Sequence, residues 1–232
     1  MNRTLYLLLT GAAVILLLAV MADGSGDLSG RGSGVLDAHR LEDQAREFSL
    51  PDIRRQRVSL RDLRGQWLLV NFWATWCEPC IDELPHLVAL AREFRGQPLR
   101  LLLVAADDDP AAVAGLAARF AAHPADKSLA TLVRATARML RGELDNVLVL
   151  SDPGGTEARR WGTEKFPETY LVSPQGRRTA WFIGPKPWGT PRAFKELRRL
   201  MDSSRPPAAA TASPPAGSSG RDVSSGDPAF PK

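Results

Sequence analysis

Cysteine is nearly missing from this chain: its 232 residues contain only two, Cys77 and Cys80. Two thiols cannot build the disulfide framework that holds small secreted scaffolds together, so the core must stand on packing. Histidine is scarce too. His39, His86 and His123 show no paired spacing, and a zinc site built on the two cysteines would need two more ligands. No charge of one sign is concentrated either, because the net charge is +4 and the arginines are scattered. With no zinc-finger spacing, RNA-binding aromatic run or helix-turn-helix pattern, nucleic acid is not an expected partner. There is no internal repeat. At 44% hydrophobic residues, a chain of this length can bury one substantial core and leave tails outside it.

What is present begins with an apolar run. Leu5 to Ala22 (LYLLLTGAAVILLLAVMA) carries no charge and comes after Arg3. It is short for a membrane-spanning helix and long for the apolar part of a signal peptide. Arg3 on its N-terminal side favours export of the rest of the chain. Residues 1–22 therefore read as a retained anchor, or as a signal peptide cleaved after Ala22. Either places the body of the protein outside the cytosol, with the cytoplasmic membrane as its partner in the first case. Residues 23–45, opening with DGSGDLSGRGSG, read as a flexible tether, and 46–202 as one domain. The stretch 203–232 is rich in Pro, Ala, Ser and Gly and reads as disordered.

Within the domain, strand and helix patterns alternate. Trp67 to Trp73 (WLLVNFW) reads as a buried strand, followed by a helix from Cys77 to about Arg95 with Leu84, Leu87, Val88, Ala91 and Phe94 on one face. Leu99 to Ala105 is a second strand, and Asp109 caps a helix with Pro110 in its first turn. Lys127 to Arg141 is amphipathic, with Leu129, Leu132, Val133 and Leu140 inward and Gly142 as its stop. Asn146–Leu150 (strand), Thr156–Trp161 (short helix), a Thr169–Val172/Arg178–Ile183 hairpin and a Pro191–Met201 helix complete it. This order predicts an α/β fold with a central mixed sheet flanked by helices.

Cys77-Glu78-Pro79-Cys80 falls where a buried strand gives way to a helix. Unpaired N–H groups and the helix dipole favour an anion there, so Cys77 is the expected attacking thiolate. Cys80 lies one turn further in, able to resolve a mixed disulfide formed by Cys77, and Pro79 stiffens the loop between them. A purely structural disulfide across two intervening residues would stabilise little.

The combination of Val58-Ser59-Leu60 and Leu63-Arg64-Gly65, NFWATWCEPC, Glu83-Leu84-Pro85, and Gly162 through Phe166-Pro167-Glu168-Thr169-Tyr170 resembles the membrane-tethered thioredoxin-like proteins of the TlpA, ResA and CcmG type. The resemblance covers Phe48 to about Met201. It implies a thioredoxin-like fold, with the helix around 127–141 as an addition, and no cofactor or metal. It also implies a cis Pro167 facing the cysteines, beside backbone that pairs with an extended substrate segment. Trp76, Pro79, Phe166, Pro167 and Glu168 are the expected substrate-binding residues. Phe166 is bulkier than the family's usual residue there. For Glu168 the plainer alternative is an exposed loop carboxylate.

Glu83 is the expected proton acceptor for Cys80, against the alternative of a solvated surface carboxylate. Asn71 occupies the place of the buried Asp of cytosolic thioredoxins. Pro85 matches the helix-kinking proline of the fold, and Trp73 reads as core. Asp107-Asp108-Asp109 reads as a helix cap and not as a metal cluster. The arginines at 54, 55, 57, 61 and 64 read as a solvated hairpin face.

The implied activity is extracytoplasmic thiol-disulfide exchange, reducing exported proteins such as apocytochrome c and drawing electrons from a membrane donor of the CcdA or DsbD type. A DsbA-like oxidase and a copper-handling protein of the same fold without turnover are the alternatives.

Overall fold

Trp67–Trp73 is buried at all seven positions, as expected of a strand covered on both faces. The computed structural model describes residues 34–122 and 127–204. The apolar run Leu5–Ala22, the segment 23–33 and the Pro-rich stretch from residue 205 lie outside them. The elements are β1 (His39–Gln44), β2 (Ser49–Pro51), β3 (Arg57–Ser59), β4 (Trp67–Trp73), α1 (Glu78–Glu93), β5 (Leu99–Ala105), α2 (Ala111–Ala122), α3 (Lys127–Leu140), β6 (Val147–Ser151), α4 (Thr156–Trp161), β7 (Glu168–Val172), β8 (Arg177–Ile183) and α5 (Pro191–Ser203).

Six strands form one sheet in the order β1-β8-β7-β4-β5-β6. β4, β5 and β6 run parallel, while β7, β8 and β1 pair antiparallel with their neighbours. The period of two splits the core into two layers. Leu69, Trp73, Leu101, Leu103 and Leu171 face the layer that holds Leu84, Leu87 and Val88 of α1 and Ala193 and Leu197 of α5. Leu68, Val70, Phe72, Tyr170 and Val172 face Phe48, Leu60, Ala158 and Trp161.

The predicted helix ends are realised by named contacts. Asp109 accepts from the Ala111 N–H at 2.8 Å, and Thr190 caps α5 by accepting from Ala193 N–H at 3.2 Å. α4 is capped from four residues upstream of its start, where Asp152 accepts from the N–H groups of Glu157 and Ala158 at 3.0 and 2.9 Å. α3 stops at Leu140, and Gly142 turns the chain at φ +65°. Of its expected inward residues, Leu140 is buried and Val133 half-buried, while the Leu129 and Leu132 side chains lie outside the described ones.

Two expectations need correction. The tether ends earlier than residue 45: Leu36 is fully buried, and residues 39–44 form the edge strand β1 against β8. Five of its six side chains are exposed, so no apolar alternation marks it in the sequence; backbone pairing alone makes it a strand. At the other end, Ser203 belongs to α5 and not to the tail. The arginines also do more than coat a hairpin. Arg57 lies in β3 of the small β2–β3 sheet, while Arg64 donates to Glu47 and to the Gln175 carbonyl.

Trp161 closes the second layer. Its ring lies 5.8, 5.5 and 5.4 Å from Phe48, Phe72 and Tyr170, and its indole N–H donates to the Arg46 carbonyl. Trp161→Ala should cost about 3–5 kcal/mol of stability in urea unfolding, through cavity formation and an orphaned carbonyl. A loss under about 1 kcal/mol would show that this layer repacks freely.

Candidate active site

The turn between β4 and α1 is built from the backbone outward. Asp107, buried just past the end of β5, accepts from the Thr75 N–H and from the Thr75 hydroxyl. Cys77 N–H then donates to the Ala74 carbonyl at 3.2 Å, and Cys77 occupies the N-cap of α1. The Cys80 and Ile81 N–H groups both donate to the Cys77 carbonyl at 3.1 Å, closing the first turn. Cys77 and Cys80 are joined as a disulfide with their Cα atoms 5.3 Å apart. Cys77 is 7% exposed and Cys80 1%, so the cap cysteine is the one a partner can reach. Pro79 sits in the first turn, where its missing N–H costs no helix bond, and is exposed.

Beside this turn runs the loop into β7. The Phe166–Pro167 peptide is cis. Trp76, 69% exposed, meets the half-buried Phe166 edge-on at 5.8 Å, so the two loops form one surface. The Pro167 carbonyl is taken by Gly184 N–H at 2.9 Å. Among the described residues, nothing pairs with the Phe166 backbone.

Glu83, one turn after Cys80 on α1, is 2% exposed, which rules out the solvated alternative. Its Oε1 accepts from the Trp188 indole N–H at 2.6 Å and the Lys186 backbone N–H at 2.9 Å. Its Oε2 accepts from Asn71 Nδ2 at 3.2 Å, and the same amide donates to Thr169 Oγ1 at 2.9 Å. Burial pushes the Glu83 carboxyl up to about 7, against these donors, which pull it down. Asn71 thus serves as a donor to the acid that the sequence singles out. Trp188 and Lys186 escape a sequence reading, since they lie 105 and 103 residues from Glu83. A tryptophan in a proline-flanked loop, Pro185-Lys186-Pro187-Trp188, is the only local signal they offer.

Glu168 is not an exposed loop carboxylate. It is the first residue of β7, 3% exposed, and by strand alternation it shares the face of Tyr170 and Val172, away from α1. Its Oε2 accepts from Trp181 Nε1 and from the Tyr170 hydroxyl at 3.2 and 3.3 Å. Burial pushes Tyr170 up to about 12, so the phenol stays a donor. The carboxylate is therefore spent on the second core layer.

Comparison with known proteins places this arrangement. Residues 41–183 match the AhpC/TSA family. The chain belongs to that family. This membership and the sheet order above make the fold thioredoxin-like. Among curated relatives, the thiol-disulfide oxidoreductase ResA of Bacillus subtilis is 27% identical over 133 residues, covering 57% of this chain and 62% of that protein. The ResA of Halalkalibacterium halodurans is 36% identical over 69 residues, covering 30% of this chain and 39% of the relative. The chain therefore spans less than two thirds of either relative. A solved structure, a putative thiol:disulfide interchange protein DsbE from Chlorobium tepidum, overlays with a TM-score of 0.49 at 20% identity, covering 71% of this chain and 96% of that one. Among the described residues, no group of three or more His, Cys, Asp or Glu comes together as a metal site.

Proposed function

We propose that this protein is a thiol-disulfide oxidoreductase that reduces disulfides in exported polypeptides. The observation that carries this is the Cys77–Cys80 disulfide at the N-terminus of α1, with the more exposed cysteine at the cap. In the reduced form, the Cys77 thiolate attacks one sulfur of a substrate disulfide and displaces the other as a thiolate. Cys80 gives up its proton and attacks Cys77 Sγ, releasing the second substrate thiolate and forming the disulfide seen here. Two electrons pass from the protein to the substrate. Glu83, held near neutrality in pKa, accepts the Cys80 proton. Trp76, Phe166 and the open Phe166 backbone receive the extended substrate segment.

The reductive direction is supported by Glu78. This exposed carboxylate in the first turn of α1 opposes the strongly stabilised thiolate that makes an oxidant. The uncharged run Leu5–Ala22 after Arg3 supports a location on the outer side of a bacterial cytoplasmic membrane, as an anchored or exported protein. There, a membrane thiol donor of the CcdA or DsbD type would restore the dithiol. Apocytochrome c, whose two thiols must be free for haem attachment, is the substrate this reading favours. Insulin-disulfide reduction coupled to a thiol donor, together with the reduction potential of the pair, tests the proposal. A potential near roughly −270 mV is expected, while a value near roughly −120 mV would reverse the direction to oxidation.

A further inference from the structure

Four cations gather where the chain enters the fold. Arg40 on β1 and Arg192, Lys195 and Arg199 on α5 border one open groove of about 690 Å³, whose apolar lining is Val35 and Leu200. Positions 192, 195 and 199 fall on one helical face, three and four residues apart. All four cations are exposed, and none of them is in an ion pair among the described residues. The single carboxylate in the groove, Glu196, is committed elsewhere. It accepts from the Leu36 N–H at 3.1 Å and lies against Gly34. The groove thus presents uncompensated positive charge around an apolar lining. An anionic partner would relieve the repulsion among the four.

The covalent chain limits which partner reaches this groove first. Eleven residues, 23–33, separate Gly34 from the end of the apolar run at Ala22. Even fully extended they span at most about 40 Å, so a membrane entered by Leu5–Ala22 is held at high effective concentration beside the groove. We infer that this groove docks on the anionic phospholipid surface of that membrane. The phosphates are taken by Arg40, Arg192, Lys195 and Arg199, and the glycerol and upper acyl carbons lie against Val35 and Leu200. The inference rests on the membrane location proposed above.

The contacts of α5 with α1 lie away from the cysteines: Gly189 lies against Ala89 and His86, midway along α1, and Arg198 pairs with Glu93 at its last residue.

The test is lysine acetylation of the full chain, read by mass spectrometry on vesicles of phosphatidylcholine alone and of phosphatidylcholine with phosphatidylglycerol. Each cation near an anionic surface is worth about five-fold in affinity at low salt. Lys195 acetylation should therefore slow at least about five-fold on the anionic vesicles while the exposed Lys165 does not change. High salt should abolish the protection. An R192Q/R199Q variant should lose the protection at Lys195 while reducing insulin at the native rate. Equal Lys195 labelling on both vesicles overturns the inference. So does protection that grows with protein concentration in detergent, which would mark a second copy, and so does protection by soluble polyglutamate on neutral vesicles only. Co-sedimentation with the neutral vesicles reads insertion of the apolar run separately, so failure of the location and failure of the groove give different results.

Discussion

Cys80→Ser should turn the protein into a trap for its substrates, with mixed disulfides accumulating through Cys77 and catalytic turnover falling below detection. Cys77→Ser should lose turnover as completely and trap nothing. The asymmetry comes from position. Cys77 caps α1, where free N–H groups and the dipole favour its thiolate, and it is the more exposed of the two. Cys80, 1% exposed, reaches only the Cys77 sulfur of the mixed disulfide. Non-reducing gels after mixing each variant with a disulfide-bearing protein check this, and a trap formed by Cys77→Ser alone would exchange the two roles. Both variants should keep the fold, because a bridge across two intervening residues restricts the unfolded chain very little.

Glu83→Gln is expected to have the second-largest effect, and it should alter kinetics and stability in opposite senses. Resolution of the mixed disulfide should slow by a factor of about 10² to 10⁴, the usual worth of a positioned general base. The first thiol attack should be untouched. On stability, burial raises the Glu83 carboxyl from 4.5 to about 7. The folded state thus holds this proton more tightly than the unfolded state. The favourable contribution is complete below about pH 4.5 and is lost as pH rises through about 7, an amount of about 3 kcal/mol. In the Gln variant this slope should vanish, so that from pH 4 to pH 8 it loses less stability than the native protein does. Urea midpoints across that window, alongside the pH profile of cysteine alkylation, check both halves. Unchanged resolution would remove Glu83 from the mechanism, and an unchanged slope would show that its carboxyl titrates as an exposed one.

Much of this protein can be read locally, and the failures share a cause. β4 and β5 announce themselves as apolar runs broken only by Asn71 and Arg100, since strands covered on both faces carry mostly apolar side chains. α5 shows its start in Thr190-Pro191, where the cap and the fixed φ act within one turn. β1 shows nothing, because an edge strand bonded through its backbone can be polar throughout. Glu168 is illegible for a related reason. Its burial depends on Trp181 and Tyr170, and Trp181 joins through the β7–β8 register.

The amino-acid sequence by itself located the candidate site in the fold and suggested its chemistry. Two thiols at CxxC spacing after a buried strand leave few other uses, and the strand-to-helix change that favours a thiolate is a property of neighbouring residues. Only the tertiary structure decided how Glu83 is tuned. An acid one turn after Cys80 is visible in the sequence, but its pKa is set by desolvation and by Asn71, Lys186 and Trp188, which come from another strand and a loop about a hundred residues away. Desolvation is a property of what surrounds a group in space, and chain folding alone brings those neighbours together.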